Sequence, residues 1–237
     1  MLTHSLLQKS TQSLLDLLFP PNCIVCKAPK QWLCESCYNQ ITFIVPPICL
    51  RCGTPGSSQG SVCEQCRHNP LQFIGGIRSA SYFEDNPIRP AIHFLKYRNH
   101  KAVVTVLAKI LAQAYQRYGL EADVIVPVPL HPVRLRERGY NQSELLAHSL
   151  SQELGLSLDT KSLQRTRQTK SQMTLGSNER HHNVAGAFAC RGTDLRGQKV
   201  LLIDDVCTTG STLDSCAEAL MQNGVASVWG LTLAKAR

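Results

Sequence analysis

Four Cys-x-x-Cys pairs lie between Cys23 and Cys66 and contain eight of the 11 cysteines in the chain. One such turn points two thiolates at one ion, and two turns supply the four tetrahedral ligands of a closed structural zinc site. A disulfide framework would need an oxidising compartment, so four pairs in order favour metal. The sequence therefore predicts two structural zinc ions held by Cys23, Cys26, Cys34, Cys37, Cys49, Cys52, Cys63 and Cys66.

The spacing of the pairs favours two sites in chain order. Seven residues separate the first two pairs, eleven the second and third, and ten the last two. Sequential pairing joins Cys23/Cys26 to Cys34/Cys37, and Cys49/Cys52 to Cys63/Cys66; an interleaved pairing is the alternative. Because four thiolates fill the coordination sphere of zinc, we expect both sites to be structural and not catalytic.

The first 21 residues are predicted to form a short amphipathic helix that ends at Pro20-Pro21. Polar residues interrupt its apolar stretch, and neither a charged leader nor a small-residue cleavage site accompanies it, so it is not interpreted as a signal peptide. The chain contains no run of 18 apolar residues, so membrane insertion is not expected. We therefore expect a cytoplasmic protein with reduced thiols.

The pattern changes after the cysteines. Hydrophobic residues make up 43% of the 237-residue chain and charged residues 18%, enough apolar side chain for a core. Strands are predicted over 77–83, 123–130, 199–204 and 226–234, and helices over 87–97, 102–118, 141–154 and 211–223. This alternation predicts an α/β fold with a parallel sheet over 71–237, preceded by a zinc-binding module over 22–70.

The sharpest signal in the second half runs from Val200 to Thr212. An apolar strand leads into Asp204 and Asp205, which we expect to face a ligand crevice and to accept hydrogen bonds from a ribose diol. A loop at a helix N-terminus follows, where backbone N–H groups and hydroxyls can hold a phosphate. Its predicted phosphate-binding residues are Thr208, Thr209, Gly210, Ser211 and Thr212. A capped loop without a ligand is the alternative.

This segment resembles the 5-phosphoribosyl-1-pyrophosphate (PRPP) motif of the type I phosphoribosyltransferases at every defined position. The resemblance implies that Asp204 and Asp205 contact the ribose hydroxyls, that the loop from Thr208 to Thr212 holds the 5′-phosphate, and that Mg²⁺ accompanies PRPP. Cys207 falls at a variable position of the motif and is interpreted as a buried thiol.

A second resemblance covers almost the whole chain. After the cysteine pairs come Pro127-Val-Pro129, Arg138-Gly-Tyr-Asn-Gln142, Arg165-Thr-Arg-Gln-Thr, Gln172, Arg180, Asn183 and Ala187-Phe188. The chain is similar in these features to the ComF family (ComF/GntX), whose members are associated with DNA uptake and natural competence in bacteria. The resemblance implies a double zinc ribbon over 22–70 and a type I phosphoribosyltransferase-like domain over 71–237.

Three arginines follow the strand predicted at 123–130: Arg134, Arg136 and Arg138. The forked guanidinium group suits phosphate oxygens. The family resemblance places the pyrophosphate around Val128–Leu130 and this cluster. In a transfer reaction the cluster is predicted to stabilise the leaving group while the acidic pair orients the ribose, so Asp204, Asp205 and Arg138 are the predicted catalytic residues. A solvated basic loop is the alternative.

The chain carries a formal net charge of +8, which favours anionic partners. Residues 86–120 contain no acidic residue, and Lys96-Tyr97-Arg98 sets an aromatic ring between two cations, as in grooves that bind single strands. Aromatic residues are only 6% of the chain, however, which is few for base stacking. A solvated helix face is the alternative.

Two functions therefore compete. In the first, the protein transfers a phosphoribosyl group from PRPP with Mg²⁺ to an unidentified acceptor, and the polar stretch 161–196 closes over the site. In the second, it senses PRPP without catalysis and binds single-stranded DNA through its zinc ribbons and basic faces. Either function would place the protein with the DNA-uptake machinery that the family resemblance implies.

Overall fold

The computed structural model describes residues 21–56, 58, 60–97, 101–167, 186–192 and 194–236. The helix predicted over 1–21 lies almost entirely outside this part of the chain. Arg98, Gln172, Arg180 and Asn183 lie outside it too, as do residues 168–185 and 193 of the polar stretch 161–196, so the predicted closing loop stays a prediction.

A parallel sheet confirms the predicted α/β class. In chain order the strands are β1 (Gly76–Tyr82), β2 (Val124–Pro127), β3 (Ser157–Leu158), β4 (Leu163–Arg165), β5 (Phe188–Cys190), β6 (Lys199–Cys207) and β7 (Ser227–Lys235). Five of them form one sheet in the order β1-β7-β6-β2-β3, and every described pairing in it is parallel. β4 and β5 form a separate antiparallel pair.

The helices lie on both faces of this sheet. They are α1 (Glu35–Asn39), α2 (Glu64–His68), α3 (Ile88–Tyr97), α4 (Lys101–Arg117), α5 (Pro132–Arg138), α6 (Gln142–Leu154) and α7 (Ser211–Gln222). Among the described residues, no helix has the length and apolar character needed to cross a membrane.

Two core clusters fill the space between helices and sheet. The first core contains apolar side chains of α3, α4 and α6, such as Ile92, Leu107 and Leu146. The second core contains side chains of α7, such as Leu213 and Leu220. Strands covered on both faces need continuous apolar sequence, which explains why Val200 to Ile203 of β6 alternate between the two cores.

The segment from Cys23 to Cys37 is here called the first cysteine module, and that from Cys49 to Cys66 the second. Each module joins a different core. Cys23 and Cys37 belong to the first core, whereas Cys49 and Cys66 belong to the second. The chain between the modules runs along the edge of β1, where Ile44 donates its N–H to the carbonyl of Ala80 at 2.9 Å. The cysteine modules therefore pack as parts of the α/β body, one on each face.

The structure adds elements that the sequence did not predict (α1, α2, β3, β4 and β5) and ends β2 at Pro127 instead of residue 130. Two further differences lie near the candidate site. β6 continues to Cys207 instead of ending at Asp204, because its pairing with β7 continues to Lys235. The three arginines lie on a short helix, α5, and not on a loop. Pro132 at its start and Gly139 at its end (φ 81°) are typical helix-boundary residues.

Candidate functional site

The loop after β6 turns sharply into α7. Thr208 and Thr209 lead to Gly210, which precedes the first helical residue, Ser211. The hydroxyls of Thr209 and Ser211 lie 2.7 Å apart, and the carbonyl of Thr208 accepts a hydrogen bond from the buried Lys235 Nζ at 2.9 Å. These bonds fix a loop at the N-terminus of a 12-residue helix, a position that favours anions.

Gly210 is required at this turn for two reasons. Its φ of 88° lies in the left-handed region that other residues avoid. In addition, a Cβ atom at this position would lie 2.5 Å from Ile77 Cδ1 and 3.3 Å from Leu71 Cδ2. The loop is therefore packed directly against side chains that follow the second cysteine module.

A cleft opens beside this loop. Its lining includes the acidic residue Asp204 and four of the five predicted phosphate-binding residues, and consists of Asp204, Val206, Cys207, Thr208, Gly210, Ser211, Thr212 and Leu213. Asp204 Oδ1 accepts hydrogen bonds from Ser143 Oγ at 2.8 Å and from the N–H of Asp205 at 2.9 Å. Burial, and next the neighbouring charge of Asp205, raise the pKa of Asp204 to about 7.

Asp205 is placed differently from the expectation that both carboxylates face the crevice. Its side chain is buried, and its Oδ2 lies 2.6 Å from Lys96 Nζ on α3. Neighbouring residues of a strand point to opposite faces, so Asp205 points toward the face covered by α3 while Asp204 lines the cleft beside α7. Lys96, predicted as part of a nucleic-acid groove, instead pairs with the acidic motif.

The segment predicted to hold pyrophosphate lies beside the acidic pair. Val128 donates its N–H to the carbonyl of Ile203 at 3.0 Å, one residue before Asp204. The side chain of Asn141 donates to the carbonyl of Val128 at 3.0 Å and also caps α6 by accepting from the N–H of Ser143. The parallel pairing of β2 with β6 thus brings the two motifs to one edge of the sheet.

The arginines of α5 differ in exposure and contacts. Arg134 and Arg138 are half-buried, whereas Arg136 is exposed. Arg138 donates a hydrogen bond to Gln142 Oε1. Arg165 on β4 lies within electrostatic range of both Arg134 and Asp204, and burial lowers the pKa of its guanidinium. Arg165 therefore interacts electrostatically with one arginine of the predicted basic cluster and with the acidic residue that lines the cleft.

The eight predicted metal ligands form two groups in the sequential pairing. Cys23, Cys26, Cys34 and Cys37 form the first group, and Cys49, Cys52, Cys63 and Cys66 the second; within each, all sulfur atoms lie within 4.8 Å of one another. Tetrahedral zinc with Zn–S bonds of ~2.3 Å places sulfurs about 3.8 Å apart. Both groups therefore suit a zinc ion.

The exposed basic face of α3 and α4 was predicted to bind single strands. Arg89 and Arg117 lie over the rings of Phe83 and Phe43, with their guanidinium carbons 5.6 and 5.2 Å from the ring centroids. These rings are already stacked on cations, so the face suits contacts to phosphates better than stacking of bases.

These features define a phosphoribosyltransferase-type domain joined to two four-cysteine sites. The sequence model of the double zinc ribbon domain matches residues 14–67, and that of the phosphoribosyl transferase domain matches residues 94–237. The chain belongs to the ComF family.

The chain is similar over most of its length to two relatives, and over part of it to a solved structure. The chain is 33% identical over 221 residues to the DNA utilization protein YhgH of Escherichia coli, covering 90% of this chain and 96% of the relative. It is 31% identical over 225 residues to Competence protein F of Haemophilus influenzae, with the same coverage. Orotate phosphoribosyltransferase from Aeropyrum pernix is 19% identical, with a TM-score of 0.37 over 67% of this chain and 68% of that chain.

Sequence reasoning did not assign Lys96, Ser143 or Arg165 to the site. Lys96 and Ser143 lie far from the acidic pair in sequence, and each contacts a different carboxylate of it. Asn141 offers one local signal, because an N-cap two residues before Ser143 marks the start of a helix that parallel topology directs to the sheet edge.

Proposed function

We propose that this protein binds PRPP with Mg²⁺ at the cleft beside α7 and acts in the uptake or utilisation of DNA. The observation that carries the proposal is the joint lining of one cleft by Asp204 and the loop around the left-handed Gly210. The names of the relatives, a DNA utilization protein and a competence protein, support the biological setting.

Each part of PRPP would meet a different group. The backbone N–H groups of Thr208 to Thr212 and the N-terminus of α7 suit the 5′-phosphate. The carboxylate of Asp204 would accept hydrogen bonds from the ribose hydroxyls, in place of the Ser143 hydroxyl that it now holds at 2.8 Å. Asp205 would reach the ribose only by changing its contact with Lys96, so we assign Asp204 the larger share of ribose binding.

The pyrophosphate would lie over Val128–Leu130, where Arg134, Arg138 and Arg165 supply positive charge. Mg²⁺, when bound with PRPP, neutralises pyrophosphate oxygens. In a transfer reaction the bond from ribose C1 to pyrophosphate breaks with its electron pair on the leaving oxygen, and an acceptor nitrogen forms the new bond and loses its proton. The role of the arginines would then be to stabilise the leaving charge.

A second candidate is a protein that senses PRPP without transfer and holds single-stranded DNA. The exposed cations Arg89, Lys109 and Arg117 on an acid-free stretch favour this function. Release of pyrophosphate from PRPP, measured with a panel of nucleobases and amines, distinguishes the two. Turnover supports the transferase, whereas PRPP binding together with salt-sensitive DNA binding and no turnover supports the sensor.

Calorimetry with Mg²⁺ and PRPP tests the shared site. Replacing Asp204 by Asn removes one charged acceptor, and since a charge-assisted hydrogen bond contributes roughly 1.5–3 kcal/mol, binding should weaken by about 10- to 100-fold. Thr209→Ala should cost less, because the backbone N–H groups survive. The exposed Glu153→Gln, near the far end of α6, is the matched control and should bind like the parent. Parent-like binding by Asp204→Asn would refute the assignment.

A further inference from the structure

The segment from Leu71 to Gly75, here called the bridge, joins the second cysteine module to β1. Asp214, in the first turn of α7, accepts three hydrogen bonds from the bridge through its carboxylate. The donors are the backbone N–H groups of Gln72, Phe73 and Ile74, at 3.1, 2.9 and 3.0 Å. The bridge is therefore tied directly to the helix that begins at the loop Thr208–Thr212, here called the phosphate loop.

These bonds also compensate the negative charge of Asp214 at the N-terminus of α7. A carboxylate in the first turn would oppose a phosphate at the same helix N-terminus. Asp214 is only 8% exposed, and three backbone N–H groups of the bridge donate to it. Its negative charge is thus compensated by N–H groups that the second module places there.

The other side of the bridge is held by Arg51, which lies between two metal ligands, Cys49 and Cys52. The guanidinium group of Arg51 donates to the carbonyl oxygens of Leu71 and Gly75. Its own carbonyl accepts from the N–H of Ile77 at 2.7 Å. A metal ion that fixes the turn from Cys49 to Cys52 would therefore fix both ends of the bridge.

Apolar side chains at and after the bridge also pack directly against the phosphate loop. Leu71 and Ile77 are the residues that an added Cβ at Gly210 would meet first. Leu71 and Ile77 also share the second core with Cys52 and Cys66. Moving the module would thus move the apolar wall behind the phosphate loop.

We propose that Arg51 and Asp214 are positioning residues of the phosphate loop. Through these two residues, metal binding at the second cysteine site determines how well ordered the loop is. The consequence for PRPP affinity rests on the proposed function. Because coupling between two sites is reciprocal, PRPP should in turn tighten metal binding at the second site.

The first cysteine module provides an internal comparison. At the position equivalent to Arg51 it carries Val25. Its described contacts lead to helices of the other face: Trp32 packs on Phe94 of α3 with ring centroids 6.1 Å apart, and Tyr38 donates to Gln113 of α4 at 2.7 Å. The coupling is therefore assigned to the second site alone.

Amide hydrogen exchange on the zinc-loaded full chain tests the coupling without any ligand. Arg51→Met keeps the length of the side chain and removes both donors, and Arg67→Met, at an exposed position directly after Cys66, is its matched control. Arg51→Met should raise exchange over residues 208–214 by about tenfold, while Arg67→Met should leave it unchanged. Equal exchange in both variants would overturn the proposal.

The same two variants and Asp214→Asn are then titrated with Mg²⁺ and PRPP. Arg51→Met and Asp214→Asn should weaken binding by about 5- to 30-fold, and Arg67→Met by less than about twofold. Parent-like PRPP affinity in Arg51→Met would also overturn the proposal. If the parent itself binds no PRPP while exchange still responds to Arg51→Met, the proposed function fails and the coupling stands.

Discussion

The two cysteine modules are near copies, yet they face different parts of the molecule. In each, a cysteine carbonyl accepts from the residue after the second cysteine, and a later cysteine precedes a five-residue helix. The residue after the second cysteine has φ 67° in the first module and 68° in the second. It is Lys27 in one and Gly53 in the other, and the surroundings explain the difference.

Lys27 is exposed, so its left-handed backbone carries only a local strain. Gly53 lies against β1, where an added Cβ would lie 2.5 Å from the carbonyl oxygen of Ile77. The first module thus packs on helical side chains, while the second fits against the backbone of the sheet and the wall of the phosphate loop. Of two equivalent metal sites, the second is built into the candidate ligand site.

Substitution of Gly53 should give the largest difference in stability between the two modules. Gly53→Ala adds both a backbone strain and a collision with a carbonyl that cannot move, so the free energy of unfolding should fall by about 2–4 kcal/mol. Lys27→Ala changes an exposed residue at the equivalent position, and the free energy of unfolding should change by less than about 1 kcal/mol. Urea unfolding of both variants measures the difference. Equal losses would mean that the modules are packed alike.

The pH dependence of PRPP binding tests the side of the molecule that carries the second module. The pKa of Asp204 is raised to about 7, above its value in the unfolded chain. The protonated carboxyl therefore stabilises the folded state at low pH, and this stabilisation is lost as the pH rises to 7. PRPP would need the ionised form, so affinity should fall by about tenfold per pH unit below 7 and level off above it. Calorimetry from pH 5.5 to 8.5 provides the measurement.

Two controls separate this titration from that of the ligand. Asp204→Asn should keep only the pH dependence of the PRPP phosphates, while Glu153→Gln should keep the full profile. The charged neighbours of Asp204 are Asp205, Lys96 and Arg165. A profile unchanged by Asp204→Asn would show that this carboxyl does not titrate on binding.

The smallest effect is expected on the other side, where the first module lies beside basic helices. If the exposed Lys109 on α4 contacts a phosphate of single-stranded DNA, Lys109→Gln should reduce the slope of log affinity against log salt by about 0.7. The exposed Lys199→Gln, at the opposite end of β6 from the acidic pair, serves as the charge-matched control. PRPP affinity should be unchanged in both, and a flat salt response of the parent would reject DNA binding by this face.

Local signals predicted most of the fold. Asn141 and Gly155 marked the ends of α6, and the apolar strand before Asp204 marked the centre of the sheet. The four cysteine pairs gave two groups in the sequential pairing. The site was predicted less completely, because the pairing of Lys96 with Asp205 and the bonds of Asp214 join segments more than 100 residues apart. The sequence carries no periodic signal for such contacts.

The central claim is that the second metal site, and not the first, supports the phosphate loop. Cys34 and Cys63 are equivalent, since each precedes the short helix of its module. Each Cys→Ser variant should lose one zinc ion, which elemental analysis verifies. By calorimetry with Mg²⁺ and PRPP, Cys63→Ser should bind at least about tenfold more weakly than the parent, and Cys34→Ser within about twofold of it. Equal losses in the two variants, or a larger loss in Cys34→Ser, would contradict the account.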